Sequence, residues 1–223
     1  MLAASAFEVR VMRKLILKMS MSLDGFVVGP NGKQDWIFRS AEEESNAWEM
    51  ELIPRAGLHA MGSNTYLEMA AYWPSSGEVF AEPMNAIPKA VFSRRSLTEL
   101  TRDVGKPSSV VVDAKAPAKV QPTAAVLESW RNPRVLAGKL SEELDRLKDE
   151  GGKDIIVYGG ATLAQNVVKT GLVDEYFLLT HPIALGRGLP LFSSLEKPAD
   201  LELAYAKSFK GGTVGHLYRP KNR

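Results

Sequence analysis

The sequence predicts an α/β fold: one mixed, mostly parallel sheet with helices on both faces, ending in an antiparallel hairpin. Three observations carry this. β-competent runs alternate with helical periods through most of the chain, as parallel β–α–β units require. Asp154–Tyr158, Gly159-Gly160 and Ala161–Thr170 follow one another without a gap as strand, glycine turn and helix. Near the end, Leu201–Phe209 and Thr213–Arg219 flank Lys210-Gly211-Gly212, the pattern of two antiparallel strands about a tight turn.

In chain order, Leu15–Met21 alternates as a strand and runs into the turn signal Ser22-Leu23-Asp24-Gly25. A second turn cluster, Gly29-Pro30-Asn31-Gly32, precedes Ser40-Ala41-Glu42-Glu43. A Ser cap and acidic first turn there predict a helix to about Ile53. Leu58–Met61 is a short strand ended by Gly62, and Ser63-Asn64-Thr65 cap a helix over Tyr66–Ala71. Ala90-Val91-Phe92 is a strand stopped by Ser93-Arg94-Arg95. Between Arg102 and Pro133 the pattern is poor, with Val110-Val111-Val112 as its one short strand; the stretch reads as a surface loop or an interface arm. Leu140, Leu144 and Leu147 mark a helix face closed by Gly151-Gly152. Glu175–Thr180 is a strand, and His181–Pro190 a Gly/Pro loop. Residues 1–13 read as an N-terminal tail, with Met12 a second candidate start, and 14–220 as a single domain.

Composition narrows the function. The 223 residues are 45% apolar and 24% charged, enough for a sizeable core, since folding at this length removes about 70% of the unfolded surface from water. There is no cysteine, which excludes a disulfide scaffold, a thiolate metal site and a cysteine nucleophile, and fits a cytoplasmic setting. A net charge of +2, without runs of like charge, points to neither nucleic acid nor a membrane surface. No apolar run approaches the ~20 residues of a membrane helix, and the N-terminus lacks the pattern of a signal peptide. His59, His181 and His216 match no metal-site spacing, so no metal is expected. The Gly-x-Gly-x-x-Gly fingerprint, the Walker loop and the Gly-x-Ser-x-Gly elbow are all missing.

Four loops follow the carboxyl ends of predicted strands, where open α/β sheets bind ligands. Gly159-Gly160-Ala161-Thr162-Leu163 reads either as a tight turn or as an anion cradle, in which glycines admit a phosphate to the N-terminus of a helix. Gly62-Ser63-Asn64-Thr65 repeats that logic, or simply caps its helix. Ser93-Arg94-Arg95 is a solvated basic turn or a phosphate site, and in the second case the carrier is NADPH rather than NADH. Asp24 either closes the Gly25 turn or stands beside a ribose.

The ordered set Ser22-Leu23-Asp24-Gly25-Phe26-Val27, Gly62-Ser63-Asn64-Thr65-Tyr66, Val91-Phe92-Ser93-Arg94, Val157-Tyr158-Gly159-Gly160-Ala161 and Gly171-Leu172-Val173-Asp174-Glu175, with Pro182, Gly186, Gly188 and Leu191-Phe192, resembles the dihydrofolate reductase superfamily. Within it, the chain is similar to the reductase domain of riboflavin-biosynthesis deaminase-reductases, as a stand-alone member, over about Lys14–Pro220. The resemblance implies a three-layer α/β/α domain that binds NADPH across its carboxyl edge. It sets Gly159, Gly160, Ala161, Thr162 and Leu163 on the pyrophosphate, and Thr65 on phosphate, within the cofactor-binding loop Gly62, Ser63, Asn64 and Thr65. Ser93 and Arg94 fall at the adenosine 2′-phosphate, with Arg95 the next residue of that basic turn, and Asp24 and Gly25 beside the nicotinamide ribose. The implied activity is hydride transfer to a small heterocycle of the 5-amino-6-(5-phosphoribosylamino)uracil type, with dihydrofolate, or cofactor binding without efficient catalysis, as alternatives. A homodimer is a further implication. Two departures stand out: Ser63 occupies the position of an expected Arg, and the carboxylate that folate reductases carry on the first helix has only the Glu42–Glu44 cluster to match it. Asp24, Glu43 and Glu44 are therefore the candidate catalytic carboxylates, and Gly25–Asp35 a candidate closing loop.

Overall fold

The protein is seen in a computed structural model that describes residues 12–102, 104 and 120–221. Among these residues ten strands form two sheets. The large sheet contains β1 (Leu15–Ser22), β3 (Ala56–Gly62), β4 (Lys89–Phe92), β5 (Arg134–Leu136), β6 (Asp154–Val157), β7 (Glu175–His181), β9 (Leu201–Ser208) and β10 (Val214–Pro220). Its order is β5-β4-β3-β6-β1-β7-β10-β9. Every pairing is parallel except those of β10, which runs antiparallel to β7 and β9. This is the mixed sheet with a C-terminal hairpin that the alternation of periods predicted. A small second sheet joins β2 (Phe26–Val28) to β8 (Leu189–Pro190).

β1 is central and almost wholly buried, which explains its near-continuous apolar run. Leu15, Leu17 and Met19 face one side with Leu58, Ala60, Ile155, Val157 and Leu178, under α6 (Leu140–Asp149) and α7 (Ala161–Lys169). The helix α7 turns Ala161, Ala164, Val167 and Val168 inward, the spacing of one helical face. Ile16, Ile156, Phe177 and Leu179 face the other side, packed on Trp48 and Leu52 from and after α1 (Glu43–Met50). A third cluster on Met61, Val91 and Trp130 lies under α2 (Ser63–Tyr72), α4 (Leu97–Thr101) and α5 (Ala124–Arg131); α3 (Ala81–Ala86) lies beside α5. Among the described residues no helix is long and apolar enough to cross a membrane.

The helix expected from Ser40 begins instead at Glu43. The Ser40 hydroxyl is held by His181 Nδ1 at 2.9 Å and Thr213 Oγ1 at 3.1 Å, so it is not free to cap. Ser45 acts in its place, accepting from the Glu42 N–H at 3.2 Å and donating to the Glu42 carbonyl at 2.9 Å. His181, read as the start of a loop, is the last residue of β7 and is buried. The poorly patterned stretch contains α5 near its end and β5 follows it directly, neither of them predicted, while Val110-Val111-Val112 lies outside the described residues.

Gly215 faces the Trp48 ring so closely that a Cβ there would lie 2.5 Å from it. Gly215→Ala should therefore cost about 1–3 kcal/mol by overpacking. A thermal melt reads this as a loss of about 2–4 °C per kcal/mol; an unchanged melt would mean that the ring moves aside freely.

Candidate active site

Three loops at the carboxyl edge converge, after β3, β4 and β6. After β6, the Gly159–Gly160 peptide is cis, and Gly159 takes φ +83°, a conformation that side chains rarely adopt. Gly160 caps α7, and a Cβ on it would come within 3.1 Å of Thr65 Oγ1 in the first turn of α2. The Gly62 N–H donates to the Gly159 carbonyl at 3.1 Å, and Leu163 packs over Gly62. The glycine pair, Ala161–Leu163 and Gly62–Thr65 thus form one structure in which the N-termini of α2 and α7 meet. The first-turn amides of a helix have no intrahelical acceptor, and they carry the positive end of its dipole.

From Ser63 a cleft of about 580 Å³ continues across Phe92, Ser93, Arg94 and Arg95 to Gly138. Ser93 Oγ accepts from the Arg95 N–H at 2.9 Å, which shapes the turn. Arg94 and Arg95 are exposed, and among the described residues neither has a carboxylate within ion-pair distance. The far wall, Leu136 to Gly138, was missed. Its signal was the short apolar run Val135-Leu136 between Pro133 and Gly138.

Asp24 lies across the sheet at the end of β1. Its Oδ1 accepts from Ser22 Oγ at 2.6 Å and Leu185 N–H at 3.1 Å, and its Oδ2 accepts from Gly186 N–H at 2.7 Å. The Ser22 bond first, then that of Gly186, holds its carboxyl down at about 2. Asp24 therefore carries no proton at neutral pH. Its geometry ties the turn after β1 to the loop after β7, a positioning task rather than that of an acid. The Gly25–Asp35 segment is likewise bonded in place: β2 pairs with β8, and Gln34 Nε2 donates to the Val27 carbonyl at 2.8 Å.

Glu43 and Glu44 are exposed on the outer side of α1, and Glu44 pairs with Lys207 at 3.0 Å. The α1 carboxylate that reaches the sheet is Glu49, 2.5 Å from Lys18 Nζ on β1, both side chains only 18% exposed. Beside this pair stand Tyr158, whose phenol pKa is pushed up by burial and then by Glu49, and His181, lowered to about 4 by burial and then by Lys18. His181 Nε2 and Trp36 Nε1 are buried without partners among the described residues, with the two rings in edge contact at 5.5 Å. Sequence reasoning missed Lys18, Glu49 and Tyr158. A lysine inside a largely buried strand was the one available signal. The edge thus offers two unlike walls, a junction of helix N-termini with free first-turn amides and a largely buried polar floor of Lys18, Glu49, Tyr158 and His181. Among the described residues there is no group of three acidic or histidine side chains that could hold a metal.

The comparisons agree with this architecture. The family model for the RibD C-terminal domain matches residues 13–216. The Bacillus subtilis (strain 168) protein YyaP is 28% identical over 211 residues, covering 92% of this chain and 94% of YyaP. A crystal structure from Shewanella sp. PV-4, ascribed to riboflavin biosynthesis, superposes with a TM-score of 0.65 at 21% identity, covering 94% of this chain and 99% of that one. Dihydrofolate reductase from Enterococcus faecalis, solved with NADP(H), gives a TM-score of 0.52 at 9% identity, with 96% and 100% covered. By its fold and by the match across nearly all of its length, the chain belongs to the RibD C-terminal domain family.

Proposed function

We propose that the protein is an NADPH-dependent reductase of a small heterocyclic or ring-opened sugar substrate, of the riboflavin-pathway type represented by 5-amino-6-(5-phosphoribosylamino)uracil. The observation that carries this is the meeting of two helix N-termini at the Gly159–Gly160 pair, continued by a cleft lined by Arg94 and Arg95, with Glu99 as its one acidic side chain among the described residues. The residues fit a phosphorylated dinucleotide. A Cβ at Gly160 would crowd Thr65 Oγ1 at 3.1 Å, so glycine lets the two helix N-termini meet, and the amides of Ala161, Thr162 and Leu163 suit a pyrophosphate. Ser63, Asn64 and Thr65 line the same junction, and Ser93, Arg94 and Arg95 would hold a 2′-phosphate. Asp24 and Gly25 would order the loop at the ribose.

When bound, the dinucleotide supplies a hydride. The chain's own work is to fix the reacting bond over the α1 side of the sheet and to keep water away from it. Pinning of Gly25–Asp35 through β2 and β8 serves that second task. The folate reading lacks support in its acid, because Glu43 and Glu44 face outward and Glu49 is paired with Lys18. The cytoplasmic setting belongs to the same proposal, as does a homodimer: β9 is an edge strand with Leu203 and Tyr205 at 50% and 47% exposure.

The test is a titration with NADPH and NADH, followed by tryptophan fluorescence and by melting. NADPH should bind more tightly, and at 100 times its Kd it should stabilise the fold by about 2.7 kcal/mol. Equal failure of both carriers to bind would overturn the reading.

A further inference from the structure

Opposite the α7 face, the middle of β1 and the end of β6 bring a second set of groups together. Leu17 pairs with Val157 across the parallel ladder, so the following residues, Lys18 and Tyr158, stand side by side on the α1 face. Lys18 Nζ meets the Glu49 carboxylate at 2.5 Å. The Tyr158 ring lies edge-on to His59 at 4.7 Å. Its hydroxyl makes no hydrogen bond to any described residue, although the ring is partly buried. The next residue is Gly159 of the cradle, so a bond reduced by a dinucleotide lying there would pass over Tyr158.

The other groups around this floor are poor proton donors. His59 and His181 are buried, and burial, followed by Lys89 for the first and Lys18 for the second, keeps them neutral, at about 3 and 4. Lys18 is held by Glu49 at 2.5 Å, which places its ammonium to resupply a neighbouring oxygen after the transfer and not to meet the substrate itself. Burial and the Glu49 charge push the Tyr158 phenol upward, so its proton stays on oxygen throughout the neutral range. Hydride addition to a C=N or C=O leaves a far stronger base than phenolate, so even a weak phenol can protonate it.

Resting on the reductase reading above, we infer that Tyr158 is the catalytic residue that protonates the substrate heteroatom, and that the Lys18–Glu49 pair is its positioning and reloading device. The substrate class is a C=N or C=O compound reduced at the expense of a nicotinamide dinucleotide. The acceptor carbon gains the hydride, the π pair moves to the heteroatom, and that atom forms a bond to the Tyr158 Oη proton. The O–H pair remains on oxygen as phenolate, which takes a proton from the neighbouring Lys18 ammonium. Lys18, 18% exposed, recovers its proton from water. The sum is one hydride and one proton added across one double bond.

The experiment compares wild type, Tyr158→Phe and Glu49→Gln by NADPH titration, and by NADPH oxidation with the aminopyrimidine and a pterin, quinone and aldehyde panel. Tyr158→Phe should leave NADPH affinity and substrate KM in place while lowering kcat by about 10²- to 10⁴-fold. Glu49→Gln should move the basic limb of the pH profile downward. A Tyr158→Phe enzyme with wild-type kcat overturns the assignment. If NADPH binds but no panel member is reduced, NMR titration of ¹³C-labelled tyrosine decides. The Tyr158 phenol should titrate well above the usual value of about 10 and fall in Glu49→Gln. A phenol with an ordinary pKa, unmoved by that substitution, overturns the assignment. Absence of NADPH binding overturns the reductase reading and takes this assignment with it.

Discussion

Replacing Glu175 with alanine is expected to lower the unfolding free energy by about 3 kcal/mol, near the lower end of the range for breaking a buried ion pair. Glu175 opens β7 and is 1% exposed. Three cations meet it there: Lys14 Nζ at 2.9 Å, Arg55 at 2.7 Å and Arg219 Nε at 3.2 Å. Arg55 also reaches Asp154 at 2.8 Å, so the cluster ties β1, β6, β7 and β10 together at the edge of the sheet away from the candidate site. The lower figure applies because the cations are partly exposed and can turn to water when the carboxylate is lost.

The same residue sets a pH dependence. Burial alone would raise the Glu175 pKa, but hydrogen bonds and charges from Lys14 and Arg55 outweigh it and hold the carboxyl below its ordinary value. A group with a depressed folded-state pKa contributes stability that is complete above its unfolded pKa, about 4.3 for Glu, and is lost as pH falls through the folded value. Melts of wild type and Glu175→Gln at pH 7 and pH 3 check this. The gap between them should be wide at pH 7 and narrow at pH 3, with NADPH affinity at pH 7 the same in both. A gap that widened on acidification would contradict the sign.

The second large effect is on carrier choice. Removing both guanidinium groups, with Arg94→Ala and Arg95→Ala, should weaken NADPH binding by about 10- to 100-fold, one or more charge-assisted contacts of roughly 1.5–3 kcal/mol each, reduced by exposure. NADH binding should hardly change, because it has no 2′-phosphate. Paired calorimetric titrations at low and moderate salt distinguish the outcomes. A parallel loss for both carriers would show that the arginines shape the cleft instead of reading the phosphate.

Much of this was legible in the chain because it is local chemistry. A strand that ends in glycines and opens directly into a helix announces itself at Gly159-Gly160, and Gly62-Ser63-Asn64-Thr65 does the same. Ser93-Arg94-Arg95 was visible as a basic turn, and the structure brings it into one cleft with Ser63. The carboxylates were not legible. Three consecutive Glu residues begin a helix whichever way it faces, and only the packing of Trp48 and Leu52 against Phe177 and Leu179 turns Glu49 inward and leaves Glu43 and Glu44 in water.

Sequence by itself determined the alternation of strand and helix, the hairpin at the end and the glycine-bearing junctions, since each depends on the conformational preferences of a few neighbouring residues. Tertiary structure alone decided that Lys18 stands beside Tyr158, that Ser40 serves His181 and Thr213 instead of capping a helix, and that Asp24 holds the loop at Gly186. The reason is physical. In a parallel sheet, neighbouring strands come from distant parts of the chain, so the groups that meet on its faces are chosen by ladder register and by burial, neither of which leaves a mark on adjacent residues.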